Sequence, residues 1–248
     1  MTTGDPSSLV GRVALVTGAA GGLGMAICAE LSGRGATVTG VDVGPGTDLQ
    51  LDGGTEEGTR AMVDAVLDQH GRLDILVLNA GVQHVAPIES FPVGQWDLLM
   101  DVMCKGPFLA MQHAWLALTS RPGGRIIVTA SVSSFVGELY KSAYVAAKHG
   151  VVGLVKVAAL EGAPHGLTVN AVAPGLMLTG LIEGQLDAQM SLRNRTRDEV
   201  IAAMLTESPA ERAVEPMEVA RLIAFLASDA SSGISGTTIP VDVGSMAW

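Results

Sequence analysis

The sequence is short of several things, and each shortage excludes something. Its 248 residues include two cysteines, Cys28 and Cys104, with no CxxC spacing. That argues against a disulfide framework or a zinc site and makes a reducing, cytoplasmic setting the expectation. The five histidines are scattered without an HExxH pattern, so no metal is expected. Lys and Arg total 15 against 25 Asp and Glu, a net charge of −10. A chain this acidic is a poor partner for nucleic acid or an anionic membrane, and an anionic substrate would need local positive charge. The apolar runs are cut by Gly, Pro or charge well before about 18 residues, so no membrane span is expected. The start, MTTGDPSSLVG, lacks a basic segment followed by an apolar core, so no signal peptide is expected. There is no GxxxxGK[ST], which removes P-loop enzymes.

What is present is small and apolar. Hydrophobic residues make up 48% and glycine fills 31 positions, while aromatics are only 4%. This suits helices packed closely on a sheet. The length is enough for one large α/β domain over 1–248. Short Val/Ile/Leu runs read as strands at Arg12–Thr17, Thr37–Asp42, Leu49–Leu51, Leu73–Asn79, Gly124–Ser131, Leu167–Pro174 and Thr237–Asp242. Helical patterns lie between them at Met25–Ser32, Gly58–His70, Gln95–Leu118 (one helix or two) and from Tyr144 on. Near-continuous apolar strands separated by helices predict a doubly wound parallel sheet of about seven strands, covered on both faces. The long irregular stretch 176–214, with short helices in it, is expected to be a substrate lid. No repeat, linker or domain break is seen.

TGAAGGLG, Thr17–Gly24, follows the first strand and opens a helix. Glycines there permit a tight turn and let backbone N–H groups approach a pyrophosphate at a helix N-terminus. Asp42 ends the second strand, where a carboxylate accepts hydrogen bonds from both ribose hydroxyls and repels a 2′-phosphate. No Arg or Lys stands beside it, so NAD is expected over NADP. The helix KSAYVAAKHG carries Tyr144 and Lys148 one turn apart on the same face. Alone, that is a packed tyrosine beside a solvated lysine.

In order along the chain, these residues resemble the short-chain dehydrogenase/reductase family. Its TGxxxGxG is matched at Thr17–Gly24, its NNAG by Leu78–Gly81, its serine after strand five by Ser131, its YxxxK by Tyr144–Lys148, and its PG by Pro174–Gly175 with Thr179 behind. The resemblance spans almost the whole chain and implies a Rossmann-type domain. It implies catalysis by Ser131, Tyr144 and Lys148. Tyr144 would be the general acid/base, with Lys148 lowering its pKa and holding the nicotinamide ribose, and Ser131 holding the substrate oxygen. Cofactor contacts are implied at Gly18, Gly22, Leu23, Gly24, Asp42, Asp52, Asn79, Ala80, Gly81, Pro174, Gly175 and Thr179. Members are commonly homotetramers, and the Ala- and Val-rich stretch Val145–Leu160 fits burial on more than one side.

The chain departs from the family at Met103, where WDLLMDVMCKG replaces a pattern with asparagine. That asparagine helps carry a water chain from the lysine to solvent, and a thioether is a poor replacement. Two readings stay open: another water route, or a weakly catalytic NAD-binding protein. Gly81–Pro92 and Lys141–Leu154 are most similar to the D-3-hydroxybutyrate dehydrogenases. That likeness implies a substrate carboxylate held by Gln83, Lys141 and Gln185, with Ser133 in the place of that group's histidine. Leu176 replaces its tryptophan, and Gly244, Ser245 and Met246 replace its GGW. The expected substrate pair is D-3-hydroxybutyrate and acetoacetate or a related 3-hydroxy acid, with another secondary alcohol or ketone, longer or less charged, as the alternative. Arg193, Arg195 and Arg197 in the lid could also meet an anion.

Overall fold

β-Branched and leucine-rich runs become strands, and the four central ones, Val13–Thr17, Ile75–Leu78, Arg125–Thr129 and Thr168–Pro174, are buried on both faces. The computed structural model describes residues 5–206 and 208–247. Residues 1–4 (part of the start expected to lack a signal peptide), Glu207 in the expected lid, and residue 248 lie outside the described residues. The elements run β1 (Val13–Thr17), α1 (Gly22–Gly33), β2 (Thr37–Asp42), β3 (Leu49–Gln50), α2 (Glu56–His70), β4 (Ile75–Leu78), α3 (Val93–Met100), α4 (Gly106–Thr119), β5 (Arg125–Thr129), α5 (Ser142–Gly162), β6 (Thr168–Pro174), α6 (Gly180–Glu183), α7 (Leu186–Arg193), α8 (Arg197–Thr206), α9 (Pro216–Ala227) and β7 (Thr238–Val241). Among the described residues, seven strands form one parallel sheet in the order β3–β2–β1–β4–β5–β6–β7.

Alternation along each strand splits the core. Leu15, Leu76, Ile126 and Val169 stand in register and join Met62, Ala110 and Val155 on the face covered by α2, α4 and α5. Val16, Val77, Ile127 and Val172 face α1 and α9, where Ile27, Leu31, Val219 and Ile223 meet them. Each such fully buried Leu, Ile or Val stabilises by roughly 1.5–3 kcal/mol. Helix ends follow local chemistry. Thr55 caps α2 by accepting from the Gly58 N–H at 3.0 Å, and Gly71 ends it at φ 67°.

The Rossmann-type sheet expected from the apolar runs is the sheet found, with strand ends trimmed by a residue or two. The stretch Gln95–Leu118 is two helices, α3 and α4, joined by the wide π-type turn Asp101–Lys105. The region 176–214 is mostly helical, holding α6, α7 and α8. One stretch, Ser142–His165, is 24 residues long with a mean hydropathy of 1.4, long and apolar enough to cross a membrane. Its few charged residues leave the average high, so length and composition alone single it out. In the fold it packs on β6 and α3, and it carries Tyr144 and Lys148.

From β1 the chain moves outward through β2 and β3, then crosses back to β4 on the other side. The C-terminal ends of β1 and β4 therefore diverge, and a crevice opens there.

Candidate active site

A cavity of about 1070 Å³ fills this crevice. Every residue expected to touch cofactor or substrate lines it, from Gly18, Gly22, Leu23 and Gly24 through to Gln185.

The glycine loop is shaped by close backbone approach. Gly18 sits at φ +69°, and a Cβ there would lie 2.8 Å from Ala80 Cα. A Cβ on Gly24 would lie 2.0 Å from the Gly18 carbonyl oxygen. Neither position admits a side chain, so the loop and the first turn of α1 pack closely together along the cavity. Gly21 precedes α1 with no side-chain cap, and no acidic residue occupies the first turn. An anion-binding helix terminus is thus left uncompensated. Asp42 closes the other side. Its carboxylate accepts from the Ala20 N–H at 3.1 Å and the Gly44 N–H at 2.9 Å, which fixes it beside the loop. Asp52 is similarly held by the Gly54 N–H at 2.9 Å.

Asn79 ties three strands together. Its Nδ2 donates to the carbonyls of Thr17 and Gly18, both at 3.2 Å, and its Oδ1 accepts from Thr129 Oγ1 at 3.1 Å. Ala80 and Gly81 follow along the wall. Gly175 packs against Asp242, and Thr179 reaches toward Gly22. This cradle, with its carboxylate at the end of β2, fits a nicotinamide dinucleotide by the chemistry of its donors and acceptors.

Ser131, Tyr144 and Lys148 meet at the inner end. Lys148 is only 4% exposed and donates to the Thr129 carbonyl at 2.6 Å. Burial pushes its ammonium down to about 8. Its Nζ lies 5.7 Å from the centre of the Tyr144 ring. Tyr144 does not have the lowered pKa expected from that neighbour. Burial pushes its phenol up to about 12, hydrogen bonding from Ser131 opposes this, and the Glu138 charge adds to it. Desolvation of the phenolate is the largest of these influences.

Ser131 Oγ accepts from the Ser133 N–H and donates to Ser133 Oγ, both at 3.1 Å. Ser133 Oγ donates to Glu138 Oε2 at 2.8 Å, and the other Glu138 oxygen accepts from Lys141 Nζ. The expected carboxylate clamp, Lys141, is 6% exposed and already holds a carboxylate of the chain itself. Glu138 carried no signal in the sequence. It lies in a loop without periodicity, and only the fold brings it against Ser133 and Lys141. Gln83 Oε1 accepts from the His84 N–H at 2.9 Å. Gln185 is 4% exposed, and its Oε1 has no partner among the described residues. Of the three arginines at 193, 195 and 197, Arg193 lines the cavity and Arg197 pairs with Glu183. Met103 is 1% exposed, packed with Leu99, Ala143 and Ala147 behind Tyr144.

A family model described as enoyl-(acyl carrier protein) reductase matches residues 18–246. The chain belongs to the short-chain dehydrogenase/reductase family. An uncharacterized oxidoreductase of Bacillus subtilis is 43% identical, over 94% of this chain and 97% of its own. A D-beta-hydroxybutyrate dehydrogenase of Rhizobium meliloti is 37% identical, over 94% and 98%. Among solved structures, a protein of Beutenbergia cavernae designated an NAD(P)-dependent gluconate 5-dehydrogenase superposes with a TM-score of 0.87. It is 33% identical over 98% of this chain and 100% of its own, and it holds NADP at low occupancy. This family member is accordingly an oxidoreductase that uses NAD(P) and acts on the CH–OH group of secondary alcohols.

Proposed function

We propose that the enzyme interconverts a neutral secondary alcohol and its ketone with NAD. The observation that carries this is one cavity holding Ser131, Tyr144 and Lys148 at one end and Asp42 beside the glycine loop at the other. Gly18, Gly22, Leu23, Gly24, Asp52, Asn79, Ala80, Gly81, Pro174, Gly175 and Thr179 would hold the cofactor, with Asp42 selecting an unphosphorylated ribose. When bound, NAD supplies the hydride acceptor, and NADH the donor. Tyr144 exchanges the proton of the carbinol oxygen, Ser131 hydrogen-bonds that oxygen, and Lys148 holds the ribose. A phenol pushed up to about 12 is protonated near neutrality, which is the form that ketone reduction needs, and it must lose that proton before an alcohol can react. The region 176–214 acts as a lid over the substrate end.

A second reading, a 3-hydroxy acid such as D-3-hydroxybutyrate, draws support from the relatives at 37% and 35% identity. Gln83, Lys141 and Gln185 all line the cavity. The Glu138–Lys141 pair speaks against it, because an incoming carboxylate would share one ammonium with Glu138. Exposed Phe108 and Leu116 on α4 and Val157 and Leu160 on α5 support association into a homotetramer.

The test follows NADH absorbance with a panel of neutral secondary alcohols and D-3-hydroxybutyrate, beside NADP and the Tyr144→Phe variant. Turnover with NAD that vanishes in the variant is expected. NADH binding with no turnover on any alcohol or ketone would make it a cofactor-binding protein instead.

A further inference from the structure

The loop between Ser133 and Lys141 is turned inside out for a surface loop. Its one carboxylate, Glu138, accepts from Ser133 Oγ at 2.8 Å and from Lys141 Nζ. Its aliphatic side chains meet the solvent instead. Leu139 is 68% exposed while the Glu138 side chain is 35% exposed, and Val136 is exposed as well. Water favours the opposite arrangement, with the charge outside and the leucine covered.

Exposed aliphatic residues scattered singly are common and need no explanation. These differ in their place. Val136 and Leu139 line the reaction cavity, and so does Leu181 of α6, a third exposed aliphatic residue. Half-buried Leu176, Ile182 and Met204 line it too. The cations of the same cavity are engaged within the chain. Lys141 is paired with Glu138, and Arg193 donates its Nε to Gln189 Oε1 at 2.7 Å. The loop also begins and ends close to the reacting groups, because Ser133 and Lys141 are near neighbours of Ser131 and Tyr144 in the chain.

We infer that Val136, Leu139 and Leu181 are specificity residues, which bind an apolar substituent of several carbons carried by the reacting carbon of the substrate. The inference rests on the reading of this cavity as the site of alcohol–ketone exchange, and it names what the neutral substrate carries. Such a substituent covers the exposed leucines and valine and loses its own contact with water in the same step. The chemistry at Ser131 and Tyr144 is unchanged by it. A small, highly polar alcohol leaves that surface wet and gains nothing from it.

The experiment follows NADH consumption with the ketone series from 2-butanone to 2-octanone, which has no stereochemistry to confuse it. In the unaltered enzyme kcat/KM should rise about two- to fourfold for each added methylene, chiefly through KM. Leu139→Asn and Leu181→Asn should each lower the 2-octanone-to-2-butanone ratio about threefold or more, and Leu139→Met should keep it. Val10→Asn, at an exposed valine outside the cavity, should leave the ratio where it was. NADH fluorescence shows that each variant is folded. A flat series would overturn the inference, and so would a ratio that the two asparagine variants do not move or that Val10→Asn moves as much. Faster reduction of 7-oxooctanoate than of 2-octanone would overturn it too, by giving the far end to an anion. If NADH binds and no ketone or alcohol turns over, or if Tyr144→Phe turns over normally, the reading of the site falls as well. If 2-butanone and 2-octanone turn over alike and Tyr144→Phe is dead, only the apolar substituent falls.

Discussion

Replacing Glu138 by Gln should change which substrates the enzyme prefers, and the structure sets the size of the change. Lys141 Nζ is paired with Glu138, and the lysine is nearly buried. A substrate carboxylate at the same ammonium would sit roughly 6 Å from the Glu138 carboxylate. At an effective dielectric near 20, that repulsion is about 3 kcal/mol. The Glu138 side chain is 35% exposed, and solvent reduces the figure to about 1–2 kcal/mol. Each 1.4 kcal/mol is about a factor of ten in kcat/KM. The assay compares D-3-hydroxybutyrate with its uncharged amide, D-3-hydroxybutyramide, in both forms of the enzyme. The acid-to-amide ratio of kcat/KM should rise about tenfold in Glu138→Gln, and less in high salt, where exposed charges are screened. A ratio cancels any loss of activity that both substrates share. The variant leaves a buried ammonium short of its partner, so its melting temperature should fall. An unaltered enzyme that already prefers the acid, or a ratio that moves less than twofold, would refute the charge argument.

Three further outcomes are expected. Alcohol oxidation needs the Tyr144 phenolate, which burial pushes up to about 12. Its kcat/KM should climb steadily across the neutral and alkaline range while ketone reduction falls only at the top, and a flat oxidation profile would count against Tyr144 as the base. Asp42→Ala removes the carboxylate that would meet a 2′-phosphate. The NADP-to-NAD ratio of kcat/KM should rise roughly ten- to a hundredfold, and initial rates at matched cofactor concentrations check it. Asp74 accepts from the Val13 N–H at 2.9 Å and from Arg72 at 2.8 and 2.7 Å. Burial alone would raise its carboxyl, but these bonds hold it below the usual carboxylate range. A folded-state pKa that is depressed contributes stability above about pH 4 and loses it as the pH falls through the folded value. Asp74→Asn should therefore cost about 2–3 kcal/mol near pH 7 and progressively less in acid, as urea melts at several pH values would show.

How much of this could be read from residues alone depended on the range of the interaction. β1, β4 and β5 were legible because full burial on two faces demands unbroken apolar runs, and Leu15, Leu76 and Ile126 stand in such runs. The glycine loop was legible because Gly18 and Gly24 answer local backbone demands, a positive φ and a carbonyl 2.0 Å from an added Cβ. Tyr144 and Lys148 were legible by helical spacing, but the direction of the Tyr144 shift was not. Desolvation depends on what the fold packs around the phenol, where Leu99 of α3 and Met103 join Ala143 and Ala147. The role of Lys141 was hidden for a related reason. A lysine one turn before the tyrosine looks like a free cation. Whether it is free rests on where the loop 135–140 folds, and that loop turns back through Tyr140 at φ 67° to bring Glu138 within reach. The same carboxylate takes the end of the serine row. A change at position 138 therefore sets the charge a substrate meets at Lys141 and frees the Ser133 hydroxyl that the carboxylate now holds.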